Sequence, residues 1–254
     1  IILVANVKDS KIRFRGFPYD IDQLTGQVEF RSAEKVWTFS NLKGYHGTAE
    51  LTGQGRFRGL PAPGVLDLTI GTVGANLDAD LFNALNESSR AVWAIVNPES
   101  GKVSLTTQVS WTATPGQKPI VRLEDVSVYD AVITPRPFPY RMKIVSGKFS
   151  YDPNDPRAAG RQHCEIKQVK AEHDGSVITA GGWAEVGSAG DWQVHLNDLN
   201  AIDMKPDDHL RAALPDSWRG TLSRLGQAGR VSIEGSEIDF RGMTKDTSPP
   251  TAAW

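Results

Sequence analysis

Residues 48–57 read Thr-Ala-Glu-Leu-Thr-Gly-Gln-Gly-Arg-Phe, a segment in which small or apolar residues alternate with polar ones. A period of two is typical of an antiparallel strand with one face buried and the other face in water. The glycines within the segment indicate bulges or bends. Similar alternation recurs at 11–14, 24–30, 36–42 and 65–70, so the first part of the chain is predicted to be a series of antiparallel strands.

The period of the pattern changes after the fifth of these strands. Residues 80–86 place their apolar side chains on one side of a short helix. Ser88-Ser89 is predicted to cap a second helix that ends near Ile95. A strand over 103–111 then completes this part of the chain.

The same plan returns later in the chain, and this internal similarity is the most informative feature of the sequence. Phe17-Pro18-Tyr19 returns as Phe138-Pro139-Tyr140, and His46 matches His173. The second copy is predicted to contain helices over 206–214 and 217–225 and a closing strand over 231–240. We therefore predict a mainly β protein with two tandem repeats of curved, gutter-like antiparallel sheet, each with a short helical pair. The predicted units are 1–116 and 117–243, followed by a polar, proline-rich tail at 244–254 that is expected to be disordered.

Composition narrows the class of protein. The 254 residues are 39% hydrophobic and 23% charged, which is typical of a globular chain with a sizeable core. A net charge of −2 provides no basic field for a nucleic-acid backbone, so nucleic acid is not an expected partner. The single cysteine, Cys164, excludes an internal disulfide and a cysteine-based metal site, and it is expected to be a small buried hydrophobe. The apolar start, 1–5, is too short to span a bilayer, and we interpret the chain as an internal or mature piece.

Groups that could perform chemistry are few and poorly spaced. Asp20 and Asp22 resemble a carboxylate pair, but a solvated face explains them more simply. The carboxylates at 78, 80, 207 and 208 are expected to cap helices. His46 and His173 recur, but a zinc site needs three or four converging ligands, and no Gly-x-Ser-x-Gly elbow occurs. We predict no enzyme activity, no metal and no cofactor.

The pattern of the two copies resembles the AsmA-like family of bacterial envelope proteins, which are related to the bridge-like lipid-transfer proteins. The resemblance rests on 17–19 with 24–28, on Asn41-Leu42-Lys43-Gly44-Tyr45-His46-Gly47, on 210–215 and on 229–233. It implies a twisted gutter with an apolar concave face that holds the acyl chains of phospholipids, without catalysis. It also implies a place in the cell envelope or periplasm, neighbouring repeats in a longer parent chain, and an inner-membrane anchor outside this piece.

Such a gutter needs a continuous strip of aliphatic side chains, because a sixteen-carbon chain removed from a bilayer loses on the order of 12 kcal/mol if water surrounds it. Alternating strands supply such a strip at every second position. The side chains predicted to line it are Val28, Phe30, Val36, Leu51, Phe57, Leu66, Leu68 and Ile70 in the first unit, and Phe149, Tyr151, Ile166, Ile178, Val194 and Leu196 in the second.

Two other interpretations remain open at this point. The same residues could form an ordinary core beneath the helices, which would make the protein a structural or adhesive β-repeat scaffold. The tryptophans, if exposed in a row, could form a carbohydrate-binding platform, although they do not recur between the copies and most are expected in the core.

Overall fold

In the described part of the chain, 13 strands form one antiparallel sheet in which each strand pairs with its neighbours in sequence. A computed structural model describes residues 1–14, 17–59, 63–158, 160–214, 219–220, 229–243 and 251–253. The prediction of a mainly β, antiparallel protein is confirmed. The strands are β1 (Ile2–Phe14), β2 (Phe17–Arg31), β3 (Val36–His46), β4 (Ala49–Arg58), β5 (Val65–Asn76), β6 (Pro98–Thr112), β7 (Ile120–Ile133), β8 (Met142–Tyr151), β9 (Gln162–His173), β10 (Ser176–Val186), β11 (Asp191–Met204), β12 (Val231–Met243) and β13 (Thr251–Ala253).

Within the described ranges, the α-helices whose bounds can be given are short: α1 (Ala79–Ala84), α2 (Glu87–Val96) and α3 (Asp208–Ala213). The predicted acidic caps of α1 and α3 are confirmed, because Asp78 accepts a hydrogen bond from Leu81 N at 3.0 Å and Asp207 accepts one from Leu210 N at 2.8 Å. The predicted cap of α2 is wrong.

The cap of α2 is Asn86 in place of Ser88-Ser89. The side chain of Asn86 accepts a hydrogen bond from Ser89 N at 2.8 Å, so α2 starts two residues earlier than the serines suggested. None of the helices in the described part of the chain combines the length and the apolar character that a membrane crossing requires.

The strands are longer than the alternating segments suggested, because many of them continue through a bulge. Left-handed backbone occurs within strands at Asp9, Asn41, Asp125 and Asp198, with φ between 46° and 52°, and the pairing register shifts near these positions. Asn and Asp tolerate this conformation better than other residues with side chains. A bulge interrupts the alternation of faces and bends the strand. The alternating sequence pattern therefore ends at the bulge, although the strand continues beyond it.

The sheet is open and mostly a single layer. The chain exposes 14935 Å², whereas a compact monomer of this mass exposes about 11,000 Å². The buried side chains lie mainly where helices pack on one end of the strands. Tyr19 and Leu51 pack with Ala84 of α1, and Ala201 and Met204 pack with α3.

Part of one predicted segment forms a strand, and most of another lies outside the described residues. Thr251–Ala253, within the tail predicted to be disordered, pairs with β12. An open strand edge offers unpaired backbone groups, and an uncharged segment can add to it. The helix predicted at 217–225 lies outside the described residues except for Arg219 and Gly220.

Candidate functional site

The two faces of the sheet differ in chemistry. We call the side that carries Phe30, Trp37, Phe57, Leu66 and Trp111 the apolar face, because these residues stand directly opposite one another across five neighbouring strands. The other side, the polar face, carries Thr38, Arg56, Asp67 and Ser110 in the adjacent row.

The aromatic row on the apolar face remains accessible to solvent. Trp37 is 37% exposed, and its ring lies 4.6 Å from that of Phe30. Trp111 is half-buried and donates its indole N–H to the carbonyl of Gln117 at 3.1 Å. This hydrogen bond satisfies the indole N–H at the end of the strand, so the rest of the Trp111 ring is available for apolar contact.

A second row runs beside the first and is aliphatic. Val28 stands opposite Phe39, Leu68 stands opposite Gly55 on one side and Val109 on the other, and each of these side chains is half-buried or more exposed. Gly55 of β4 lies between Phe39 and Leu68 in this row, and the branched end of Leu68 extends over it. Together the two rows make a broad apolar strip on β2–β6.

The apolar strip continues from the first half of the sheet into the second. Thr107 of β6 stands opposite Leu123, which stands opposite Tyr151, and the row then reaches Cys164. Val103 continues to Val128 in the same way, nearer the helices. The polar residue in these pairs is the uncharged Thr107, so the passage between the halves is not interrupted by charge.

Helices cover the apolar face unevenly. In the first half they cover the end near Tyr19 and Leu51 and leave the strip on β2–β6 half-exposed. In the second half Ile95 of α2 belongs to a buried cluster with Trp192 and Phe240, so α2 covers this part of the face. The remaining members of that cluster are Val186 and Ile238.

The predicted lining residues fall on the apolar face with one exception. Val36 is wrong, because it stands opposite Arg31 and Arg58 and therefore belongs to the polar face. Leu51 is buried beneath α1. The others are half-buried on the apolar face, namely Val28, Phe30, Phe57, Leu66, Leu68, Ile70, Phe149, Tyr151, Ile166, Ile178, Val194 and Leu196.

Sequence reasoning missed part of the strip. Trp37, Phe39, Val109 and Trp111 lie on the apolar face but were not among the predicted lining residues. Their alternation with Thr38, Gln108 and Ser110 was the available signal. Among the tryptophans expected in the core, Trp192 is 5% exposed and does lie there.

The polar face holds ion pairs and stacked rings. Trp183 lies between two histidines, with ring centroids 5.9 Å from His163 and 5.4 Å from His195. His163 Nδ1 is 3.0 Å from a carboxylate oxygen of Glu185, which also pairs with Arg161 at 3.0 Å. These groups are largely buried, because the side chains of His163, Glu185 and Arg161 are 5%, 14% and 30% exposed, so removing one partner would leave the others uncompensated.

A tyrosine ring packs against a histidine ring at each of the two places where a helix packs on the strand ends, with 24° between the ring planes at the first place and 42° at the second; we call each pair a tyrosine–histidine stack. The rings of Tyr19 and His46 are 3.8 Å apart, and those of Tyr140 and His173 are 4.2 Å apart. Both tyrosine hydroxyls are buried, and neither has a hydrogen-bond partner within the described ranges. Burial raises the pKa of each tyrosine to about 12, and nearby aspartates add to the shift.

The remaining sequence candidates have ordinary surroundings. Asp20 and Asp22 form ion pairs with Lys11 at 3.3 and 3.1 Å. Burial raises the pKa of Cys164 to about 11, which keeps the thiol protonated and unreactive at neutral pH. Comparison with protein-family models, with curated proteins and with solved structures finds no match for this chain.

Proposed function

We propose that this chain is a non-catalytic segment of a lipid-handling protein, and that acyl chains partition onto the apolar strip of β2–β6. The observation that carries the proposal is a row of large apolar side chains, Phe30 to Trp111, left half-exposed on one side of a sheet whose other side is charged. A contiguous apolar surface of this kind is a mark of a binding site.

The energetics favour an acyl chain as the guest. Each methylene transferred from water to an apolar surface contributes about 0.8 kcal/mol. An acyl chain therefore needs a long apolar strip and no hydrogen-bond partners. The strip offers that, because the aliphatic row of Val28, Phe39, Leu68 and Val109 runs beside the aromatic row. A sugar needs hydrogen-bond partners beside the stacked rings, and the neighbours of Trp37 and Trp111 on this face are apolar.

We further propose that the chain is two copies of one unit, arranged as a gutter. The order of elements supports this, because five strands and α1 precede β6, and five strands and α3 precede β12. The two tyrosine–histidine stacks support it as well. Bulges in successive strands supply the bends that a gutter requires.

The proposal includes neighbouring repeats as partners and the cell envelope as the place of action. β1 is an edge strand, and Ile2, Leu3 and Val4 on it are 63%, 54% and 49% exposed. An edge strand of this character is a template for a further strand. A further repeat on β1 would extend the apolar strip beyond Phe30, since Leu3 stands opposite Phe30 on the same face.

Photo-crosslinking tests where a lipid binds. A photoreactive phenylalanine analogue placed at Phe39 on the apolar face should capture phospholipid from vesicles, and mass spectrometry of the adduct would identify it. The matched control is the same analogue at Thr38, one residue earlier on the polar face. Equal capture at both positions, or none at either, would count against the proposal.

A structural scaffold is the second candidate, and the cover over the second half favours it. Ile95, Trp192 and Phe240 already fill that part of the apolar face with the protein's own side chains. If native mass spectrometry of gently purified protein shows no bound lipid and vesicles supply none, the scaffold becomes the better interpretation.

A further inference from the structure

Three potential metal ligands meet where β9, the turn after it and the start of α3 come together. His173, Asp174 and Asp207 each place a ligand atom so that these atoms all lie within 4.8 Å of one another. Nε2 of His173 is 3.9 Å from a carboxylate oxygen of Asp174. Side chains far apart in sequence therefore converge on one point.

The histidine is oriented as a metal ligand is. Nδ1 of His173 lies 2.6 Å from the backbone carbonyl of Arg141, and a carbonyl can only accept, so the proton resides on Nδ1. Nε2 then carries a lone pair, and it is buried with no hydrogen-bond partner in the part of the chain that the structure describes. Histidines that bind metals characteristically donate the other ring N–H in this way.

A second buried group lacks a partner at the same place. Tyr140 is 1% exposed, its ring lies against that of His173 at a tilt of 42°, and its hydroxyl has no hydrogen-bond partner among the described residues. The aspartates that act electrostatically on this hydroxyl are Asp207 and Asp174. A buried unpartnered hydroxyl costs about 1–3 kcal/mol, and a hydrated ion held by the two carboxylates would offer it a partner.

We propose that His173, Asp174 and Asp207 bind a divalent transition-metal ion of the Zn²⁺ class. One imidazole nitrogen and two carboxylate oxygens suit such an ion, which bonds these atoms at about 2.0–2.2 Å. Tetrahedral ligands are then about 3.3 Å apart, so the side chains close by no more than about 1.5 Å. Asp174 is 66% exposed, which leaves a route for the ion from solvent.

The first tyrosine–histidine stack shows what distinguishes the second. His46 also directs Nδ1 to a backbone carbonyl, that of Asp20 at 2.7 Å, and Nε2 is 3.6 Å from Asp80. However, the residue after His46 is Gly47, where the second stack has Asp174. The carboxylate beside the histidine is therefore one difference between the two places, and the buried, unpartnered Nε2 of His173 is another, since Nε2 of His46 is not such an atom.

The test is calorimetric titration of the protein with ZnCl₂, with Co²⁺ absorption spectra as a second measurement. One chelator-reversible site per chain is expected. Asp174→Asn and Asp207→Asn should each weaken binding at least about tenfold. Asparagine tolerates the left-handed φ of 44° at Asp174 and caps a helix as well as aspartate does, so both variants should fold. Circular dichroism and thermal melting would verify this.

Controls in the first stack separate a designed site from adventitious binding. Asp80→Asn should leave zinc affinity unchanged. Gly47→Asp should raise the stoichiometry from one ion to two, since Gly47 has a φ of 55° that aspartate can adopt and open space where its Cβ would lie. The absence of saturable binding, affinity unaltered in both asparagine variants, or a stoichiometry that stays at one in Gly47→Asp would overturn the proposal.

Discussion

Replacing Leu68 by aspartate tests the apolar strip most directly. Leu68 lies in the middle of the strip, between Gly55 and Val109 on the neighbouring strands. It is half-buried and not part of a buried cluster, so a carboxylate there can stay hydrated in the free protein. We therefore expect the fold to survive, with an unfolding free energy lowered by on the order of 1 kcal/mol.

The effect on lipid should be larger than the effect on folding. An acyl chain lying over Leu68 would lose apolar contact with about three methylenes, and at about 0.8 kcal/mol each this is about 2.4 kcal/mol, or roughly a fifty-fold weaker affinity. Displacing water from the new carboxylate adds to that loss. Fluorescence titration with a labelled phospholipid would measure the affinity, and chemical denaturation would measure the stability.

The neighbouring residue provides a matched control. Thr69 stands opposite Gln54 and Gln108 on the polar face, so Thr69→Asp adds the same charge to the same strand but on the other side. Its lipid affinity should remain that of the unmodified protein. If both variants lose lipid equally, or if Leu68→Asp unfolds the chain while Thr69→Asp does not, then the strip is a structural core and the reasoning fails.

Three further results are expected. Gly182→Ala should lower the unfolding free energy by at least about 3 kcal/mol, since φ is 140° and an added Cβ would collide with the carbonyl oxygen of His195. Gly175→Ala, in open space at a φ of 82°, should cost about 1–2 kcal/mol in a urea titration. Stability should fall as pH rises from about 10 to about 12, because the folded protein keeps Tyr19 and Tyr140 protonated, with pKa values of about 12, after the unfolded chain has lost those protons; denaturation curves that do not change across this range would contradict it. Asp78→Ala should lower the unfolding free energy by about 1 kcal/mol by removing the cap of α1, whereas Asp78→Asn should not, and thermal melts showing equal losses would refute this account.

Local chemistry was sufficient to predict most of the strands and the caps of α1 and α3. Residues 48–57 alternate, and β4 forms there as Ala49–Arg58. Asp78 and Asp207 both cap helices. These features depend on residues a few positions apart, so a pattern along the chain contains the information they need.

The face of a strand was harder to predict from the sequence. Val36 was expected on the apolar face, but Trp37 stands opposite Phe30 there. The turn between β2 and β3, in which Lys35 has a φ of 54°, sets which of these two residues meets Phe30. A register shift of one residue exchanges the faces, and alternation alone does not reveal it.

The sequence by itself determined the antiparallel strands, the contrast between an apolar and a polar face, and the starts of α1 and α3, because each follows from residues close together along the chain. Only the tertiary structure decided how much of the apolar face stays exposed, since that depends on where Ile95 and α3 pack. It also decided that His173 meets Asp207. Strand order and twist bring residues that are distant in sequence together, and a local sequence pattern does not encode such contacts.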